Sequence, residues 1–230
     1  MHIPDGFLDN GVAAAAAVPA VAAVGYGVRR AGRSLDDRKV PLLGVTAAFI
    51  FAVQMLNFPV AGGTSGHLLG GALAAILLGP WLACIVMAVV ISGQAFVFAD
   101  GGVTALGANV FNMGVVGALG IGLLMLAARR VLPQRRTAFL AVAAVGAWLS
   151  VMAGALLCSV ELGVSGTVPF ATVLPAMLSV HALIGIGEAV ITVGAVAAVL
   201  ATRPDLIDGA GFFGHGAVRA HTAPPAEVVS

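Results

Sequence analysis

Long apolar stretches, broken at charges, prolines and glycines, run from residue 11 to residue 202. A helix that crosses a bilayer needs about 20 predominantly apolar residues, and breaks fall at charges, Pro and Gly. Read that way, the pattern predicts spans near 11–28, 41–56, 68–79, 81–98, 108–128, 137–160 and 175–202. The third and fourth are ambiguous, because 68–98 could equally be one long kinked helix. Charge decides between the readings. Arg29, Arg30, Arg33, Arg38 and Lys39 form one basic group, Arg129, Arg130, Arg135 and Arg136 a second, and Arg203 and Arg219 a third. Cytoplasmic loops carry the Lys and Arg excess, so the first two groups belong on one side, which requires an even number of crossings between them. A break at Gly79-Pro80 gives that; an unbroken helix does not.

The expectation is an all-α polytopic membrane protein with seven transmembrane helices, its N-terminus outside and its C-terminus in the cytoplasm. Residues 68–79 would rise only about 18 Å as a helix, against an apolar thickness of about 30 Å. The Gly-rich loop before them, Asn57 to His67 (NFPVAGGTSGH), must then re-enter the membrane. Irregular backbone is tolerated at that depth only inside protein or around a water-filled cavity. A short helix that merely thins the bilayer is the plainer alternative. Gly114, Ala118 and Gly122, at four-residue spacing, suit close helix packing or docking onto a membrane partner.

Composition agrees with this reading. Hydrophobic residues make up 60% of the 230 and charged residues 9%, with a mean hydropathy of +1.07; soluble domains carry about 25% charged residues. The location is the cell's inner or plasma membrane, with lipid as the solvent. A net charge of +1 argues against nucleic acid as a partner. Residues 1–205 read as one membrane domain, and 206–230 as a cytoplasmic tail too poor in core residues to fold. His215 and His221 fall in that tail as solvated residues. The start, MHIPDGFLDN, lacks a basic leader and should stay on the mature protein. Cys84 and Cys158 sit inside apolar runs and read as buried thiols.

Candidate chemistry lies in the three remaining histidines: His2, His67 and His181. A large second residue protects the initiator Met from removal, so the chain should begin Met1-His2. That start offers the Met1 α-amine, the His2 amide and a His2 ring nitrogen to one ion in a plane, with His67 as a fourth ligand. Square-planar nitrogen sites favour Ni(II) or Cu(II). The plainer reading makes His2 an exposed terminal residue. Pro4-Asp5-Gly6 reads as a turn that folds the terminus over an outer cavity. Glu188 lies about two turns after His181 on the same helical face. An intramembrane carboxylate is a functional candidate by default, although a structural hydrogen-bonded role suits it better. Asn57, Ser65 and Gln94 are candidates to support a metal-bound imidazole. Asp100, Asn109 and Asn112 either close the cavity or, the favoured reading, cap helix starts.

Four segments, MHIPDGFL at the start, NFPVAGGTSGHLLGG at 57–71, DGGVTALGANVFNMGVVG at 100–117 and HALIGIGEAVIT at 181–192, carry a resemblance. Along residues 1–205 the chain resembles the NikM/CbiM family, the substrate-binding membrane subunit of energy-coupling-factor nickel and cobalt importers. The resemblance implies seven helices and a site of Met1 amine, His2 amide and ring, and His67. It also implies an ATPase partner subunit, a transmembrane coupling subunit and a small accessory membrane subunit. Cobalt-type members tend to read SCSHPTG around the equivalent histidine, whereas GGTSGHLLGG here is closer to the nickel type. The expectation is a substrate-specific component importing Ni²⁺, with Co²⁺ for cobalamin biosynthesis as the alternative cargo, and no catalytic role. The chain has no G-x-x-x-x-G-K-[ST] phosphate loop, so ATP hydrolysis would fall to a partner. A rival class is an intramembrane serine protease, with Ser65 in Gly63-Thr64-Ser65-Gly66 as nucleophile and His181 as base. A seven-helix receptor or light sensor is a third class, disfavoured because Lys39, the sole lysine, falls in a loop and no span offers the lysine a Schiff base would need.

Overall fold

A computed structural model describes residues 1–32, 35, 39–133 and 135–207. Arg33, Arg38, Gln134 and the tail from 208 onward, with His215, Arg219 and His221, lie outside the described residues. The chain is mostly helical. Helices α1 (Asn10–Ala31), α2 (Lys39–Gln54), α3 (Gly71–Leu78), α4 (Pro80–Phe98), α5 (Leu106–Ala128), α6 (Arg136–Val164) and α7 (Phe170–Thr202) follow in order. Among the described residues, α1, α4, α5, α6 and α7 are long and apolar enough to cross a membrane; α2 is apolar but has 16 residues.

Local chemistry explains the boundaries. The Asp9 side chain accepts from the Gly11 N–H at 2.8 Å and caps α1, while Arg29 and Arg30 occupy its last turn, where the helix dipole favours cations. The break at Gly79-Pro80 is present. Gly79 takes φ 82°, ψ 156°, a conformation open to glycine, and Pro80 starts α4, where its missing N–H costs nothing. Helix α5 is unusual in its middle, where Val110–Gly120 is wound as a π-helix. Such wide turns are frequent at functional sites, and this one contributes the buried Asn112.

Helix α3 is shorter than the sequence suggested. It has eight residues and rises about 12 Å, because Gly70 (φ 77°) turns the chain immediately before it. A Cβ at Gly70 would also sit 2.8 Å from Ile50. Seven of its eight residues are buried against α4, α5 and α6. The segment before α3 is not irregular as expected but a small hairpin. Strands β1 (Phe58–Pro59) and β2 (Ser65–Gly66) pair antiparallel, Phe58 with Gly66 and Pro59 with Ser65. Its tip is exposed and its end is not: Gly66 and His67 are buried.

Small residues serve internal packing. A Cβ at Gly122 would come within 2.8 Å of Ala75 on α3 and 3.0 Å of Pro80 on α4. On α7 the buried positions Val173, Met177, His181, Gly185, Glu188, Thr192 and Val196 form one stripe. His181 and Glu188 therefore share a face, as their spacing predicted. Cys84 and Cys158 are free and buried.

At the crossing of α1 and α5, a Cβ on Gly107 would lie 2.4 Å from the Cβ of Ala17 and 2.7 Å from its Cα. Gly107→Ala is expected to destabilise the fold by roughly 1–3 kcal/mol, the usual cost of overpacking. Ala17→Gly should restore part of that loss. Thermal unfolding of the single and double variants in detergent measures both effects; equal melting of all forms would contradict the crossing.

Candidate metal-binding site

The N-terminus is folded into the protein. Met1 is 0% exposed, His2 3% and Ile3 0%, so the reading of His2 as an exposed terminal residue fails. Residues 4–7 turn back, with the Phe7 N–H donating to the Pro4 carbonyl at 3.4 Å. Asp5 anchors the turn by accepting from the Thr104 N–H at 2.7 Å and its hydroxyl at 2.6 Å. These bonds hold the Asp5 carboxyl below its usual range. Asn109 clamps the strand behind the turn: its Oδ1 accepts from the Ile3 N–H at 2.8 Å, and its Nδ2 donates to the Ile3 carbonyl at 3.1 Å. The Gly102 N–H donates to the same carbonyl at 2.8 Å. Only glycine allows that approach, since a Cβ at 102 would fall 2.3 Å from the Asp5 nitrogen.

Three nitrogen-bearing groups meet behind this turn. The Met1 amine donates to both the Ser65 carbonyl and the Ser65 hydroxyl, the latter at 2.9 Å. The His2 and His67 rings stack with centroids 4.7 Å apart and an interplanar angle of 23°. Burial lowers the amine pKa from 8.0 to about 5, and burial with the neighbouring amine lowers His2 from 6.5 to about 3. Burial, with the amine and the other two histidines nearby, also holds His67 well below its ordinary value. All three are neutral at pH 7. A neutral amine has two N–H bonds, both used on Ser65, and one lone pair left over.

Hydrogen bonding fixes which ring nitrogens carry lone pairs. His67 Nδ1 lies 2.8 Å from the Leu68 carbonyl, which can only accept, so Nδ1 carries the proton and Nε2 the lone pair. The same logic applies to His181, whose Nδ1 is 2.7 Å from the Met177 carbonyl. His67 Nε2, His181 Nε2 and both His2 ring nitrogens are buried without a partner. A buried polar atom left so costs about 1–3 kcal/mol, and its ordinary explanation is an ion or water. No three His, Cys, Asp or Glu side chains among the described residues converge as a metal cluster. A bound ion would therefore have to draw on the amine and the backbone as well as the rings.

The remaining candidates have definite places. Glu188 accepts from the Leu69 N–H at 2.9 Å and the Gly70 N–H at 2.6 Å, at the start of α3, the hydrogen-bonded role favoured from sequence. Asn57 donates to Asp100 at 3.0 Å, and that carboxylate is 3.9 Å from His2 Nε2. Gln94 is wholly buried, with both amide atoms unpartnered. Asp100, Asn109 and Asn112 do not cap helices: the start at Leu106 has no side-chain cap, Asn109 holds Ile3, and Asn112 donates to Glu161 at 2.6 Å. Glu161, one residue beyond the span expected at 137–160, lies buried within α6. Sequence reading passed over Gln54. It donates to the Leu69 carbonyl at 2.7 Å, and a polar residue closing an apolar run was its only signal. The Ser65–His181 dyad of the protease reading is not formed, since Ser65 bonds the Met1 amine and His181 bonds Met177.

Helices of crossing length around a buried polar core define a multi-pass membrane protein. A family model described as the cobalt uptake substrate-specific transmembrane region (CbiM) matches residues 2–206, and the chain belongs to that family. Among its relatives is a protein of Archaeoglobus fulgidus provisionally named fused nickel transport protein NikMN. It is 43% identical over 211 residues, 90% of this chain and 68% of that one. Cobalt transport protein CbiM of Sorangium cellulosum is 35% identical, covering 90% of this chain and 95% of that one. A crystal structure of a truncated transition metal transporter superposes with a TM-score of 0.77 at 34% identity, over 87% of this chain and 99% of the other.

Asn109→Ala would leave the Ile3 N–H buried without a partner, at a cost of about 1–3 kcal/mol. Hydrogen exchange should quicken at residues 2–5 far more than in α6 or α7. Unchanged exchange there would show that the clamp does not hold the terminus.

Proposed function

We propose that the chain is the substrate-specific component of an energy-coupling-factor importer and that its cargo is Ni²⁺. Membership of the family and the names of its nickel- and cobalt-transporting relatives support transport of one of these two ions. One observation carries the site: a neutral, buried N-terminal amine held beside two histidines with unshared lone pairs. The ligands in this reading are the Met1 amine, the His2 amide nitrogen and Nδ1, and His67 Nε2. Amine and amide close a five-membered chelate ring, and amide and Nδ1 a six-membered one. The second ring excludes Nε2 of His2, which is too far from its own amide. Stacked imidazoles cannot share an in-plane ion, so binding turns the His2 ring out of the stack. Ser65 orients the amine lone pair, and Glu188 and Gln54 hold the segment that follows His67.

A planar field suits Ni²⁺ because a low-spin d⁸ ion gains most from four strong nitrogen donors, whereas Co²⁺ gains less. Co²⁺ is the second reading, favoured by the family description. Uptake against a gradient would need an ATPase subunit and a transmembrane coupling subunit. The topology in this reading has α1 to α7 as seven crossings, the N-terminus outside, and the hairpin before α3 re-entering the membrane. Cysteines at Val103 and Val131, both exposed, test it. Position 103 should label from outside intact cells and position 131 only after permeabilisation; the reverse pattern would refute the topology.

Extending the N-terminus by one residue converts the amine to an amide without a basic lone pair. Tight Ni²⁺ binding should then be lost while the melting temperature of the ion-free protein changes little. His67→Ala should weaken binding by tenfold or more, on the scale of a lost ligand's supporting partners, and Ser65→Ala by much less. Isothermal titration reads all three. If the extended protein binds Ni²⁺ as tightly as the native one, the ligand set is wrong.

With the amine pKa lowered to about 5, that of His2 to about 3 and that of His67 well below its ordinary value, only the amide must lose a proton at pH 7–8. Each bound ion should release about one proton, so affinity falls about tenfold per unit decrease in pH. Titration in buffers of different ionisation enthalpy counts the protons; a value near zero would mean that the amide stays protonated.

A further inference from the structure

The end of α5 and the start of α6 enclose a groove far from the N-terminal site. It has a volume of about 470 Å³ and is lined by Leu124, Met125, Ala128 and Leu132 on one side and by α6 residues from Ala138 to Leu149 on the other. Every lining residue is apolar. Its floor is set by Gly146, where a Cβ would fall 2.7 Å from the Met125 sulfur. From Ala138 to Leu149 the helix rises about 16 Å, close to the roughly 15 Å apolar depth of one leaflet, half of the 30 Å core. A helix of that length fills on the order of 1,200 Å³, taking a diameter of about 10 Å. The groove cannot enclose a helix, and its length and wholly apolar lining suit an extended hydrocarbon chain.

Arginines cluster at its mouth. Arg129, Arg130, Arg135 and Arg136 lie within a few residues of Leu132 and Ala138, and Arg130, Arg135 and Arg136 are exposed. No Asp or Glu occurs between Asp100 and Glu161. Arg136 donates to the Ala197 carbonyl of α7 at 3.2 Å, and Asp205 is bonded to Arg203 at 2.8 Å. Basic pockets between membrane helices are suited to anionic headgroups.

We infer that this groove binds one anionic glycerophospholipid, an acyl chain lying along α6 and the phosphate held by the arginines at the α5–α6 turn. The site is independent of the metal ligands, so it stands or falls apart from the proposed cargo.

The test uses the full chain in detergent, titrated with phosphatidylglycerol or phosphatidylcholine of the same acyl composition and read by native mass spectrometry. Phosphatidylglycerol should be retained preferentially. Arg130→Gln and Arg135→Gln should each reduce that preference by about fivefold, the worth of one basic residue near an anionic surface. Ala141→Phe, an exposed position on the groove wall, should reduce retention of both lipids. The melting temperature should be unchanged in the arginine variants, which shows that they are folded. Equal retention of the two lipids, or a preference that survives both arginine substitutions, overturns the proposal. A groove reserved for a helix of another subunit would give that result.

Discussion

Burying a chain terminus and two imidazoles in the dry interior of a membrane protein is the constraint on which the rest of the structure depends. Burial makes a charged amine in such a place costly, and the amine pKa falls from 8.0 to about 5. The protein meets the constraint by holding the group neutral and giving both its N–H bonds to Ser65. The turn at residues 4–7, the Asn109 clamp on Ile3 and the glycine at 102 hold the terminus in place. Of these, the Asn109 clamp has the most at stake, because its loss would leave the buried Ile3 N–H without a partner.

On the opposite wall, the histidine loop is held by groups from distant helices. Glu188 on α7 and Gln54 on α2 grip the Leu69–Gly70 segment from two sides. A carboxylate facing the start of α3 also satisfies N–H groups that the helix itself cannot. Any movement of α7 against α2 would therefore be felt two residues from His67.

Much of this was legible in the sequence. Apolar run length located the helices, and the requirement that basic groups share a side selected the break at Gly79-Pro80. The spacing of His181 and Glu188 placed both on one buried stripe. The unusual start made the terminus a candidate ligand. What escaped were features set by tertiary partners. Asn109 reads from sequence as a helix cap, because its partner is 106 residues away. Glu161 reads as a loop residue, because nothing local reveals that α6 continues past it to Val164 with Asn112 waiting opposite. The π-helical turn of α5 leaves no periodicity strong enough to detect in an all-apolar stretch.

The account turns on a planar set of four nitrogens, one of them a deprotonated amide, and the bound ion can report this directly. The Ni²⁺ complex of the purified protein should be diamagnetic and yellow, with the d–d band of a square-planar low-spin d⁸ ion. An octahedral, paramagnetic Ni²⁺ spectrum would contradict the planar site even if nickel proved to be the cargo.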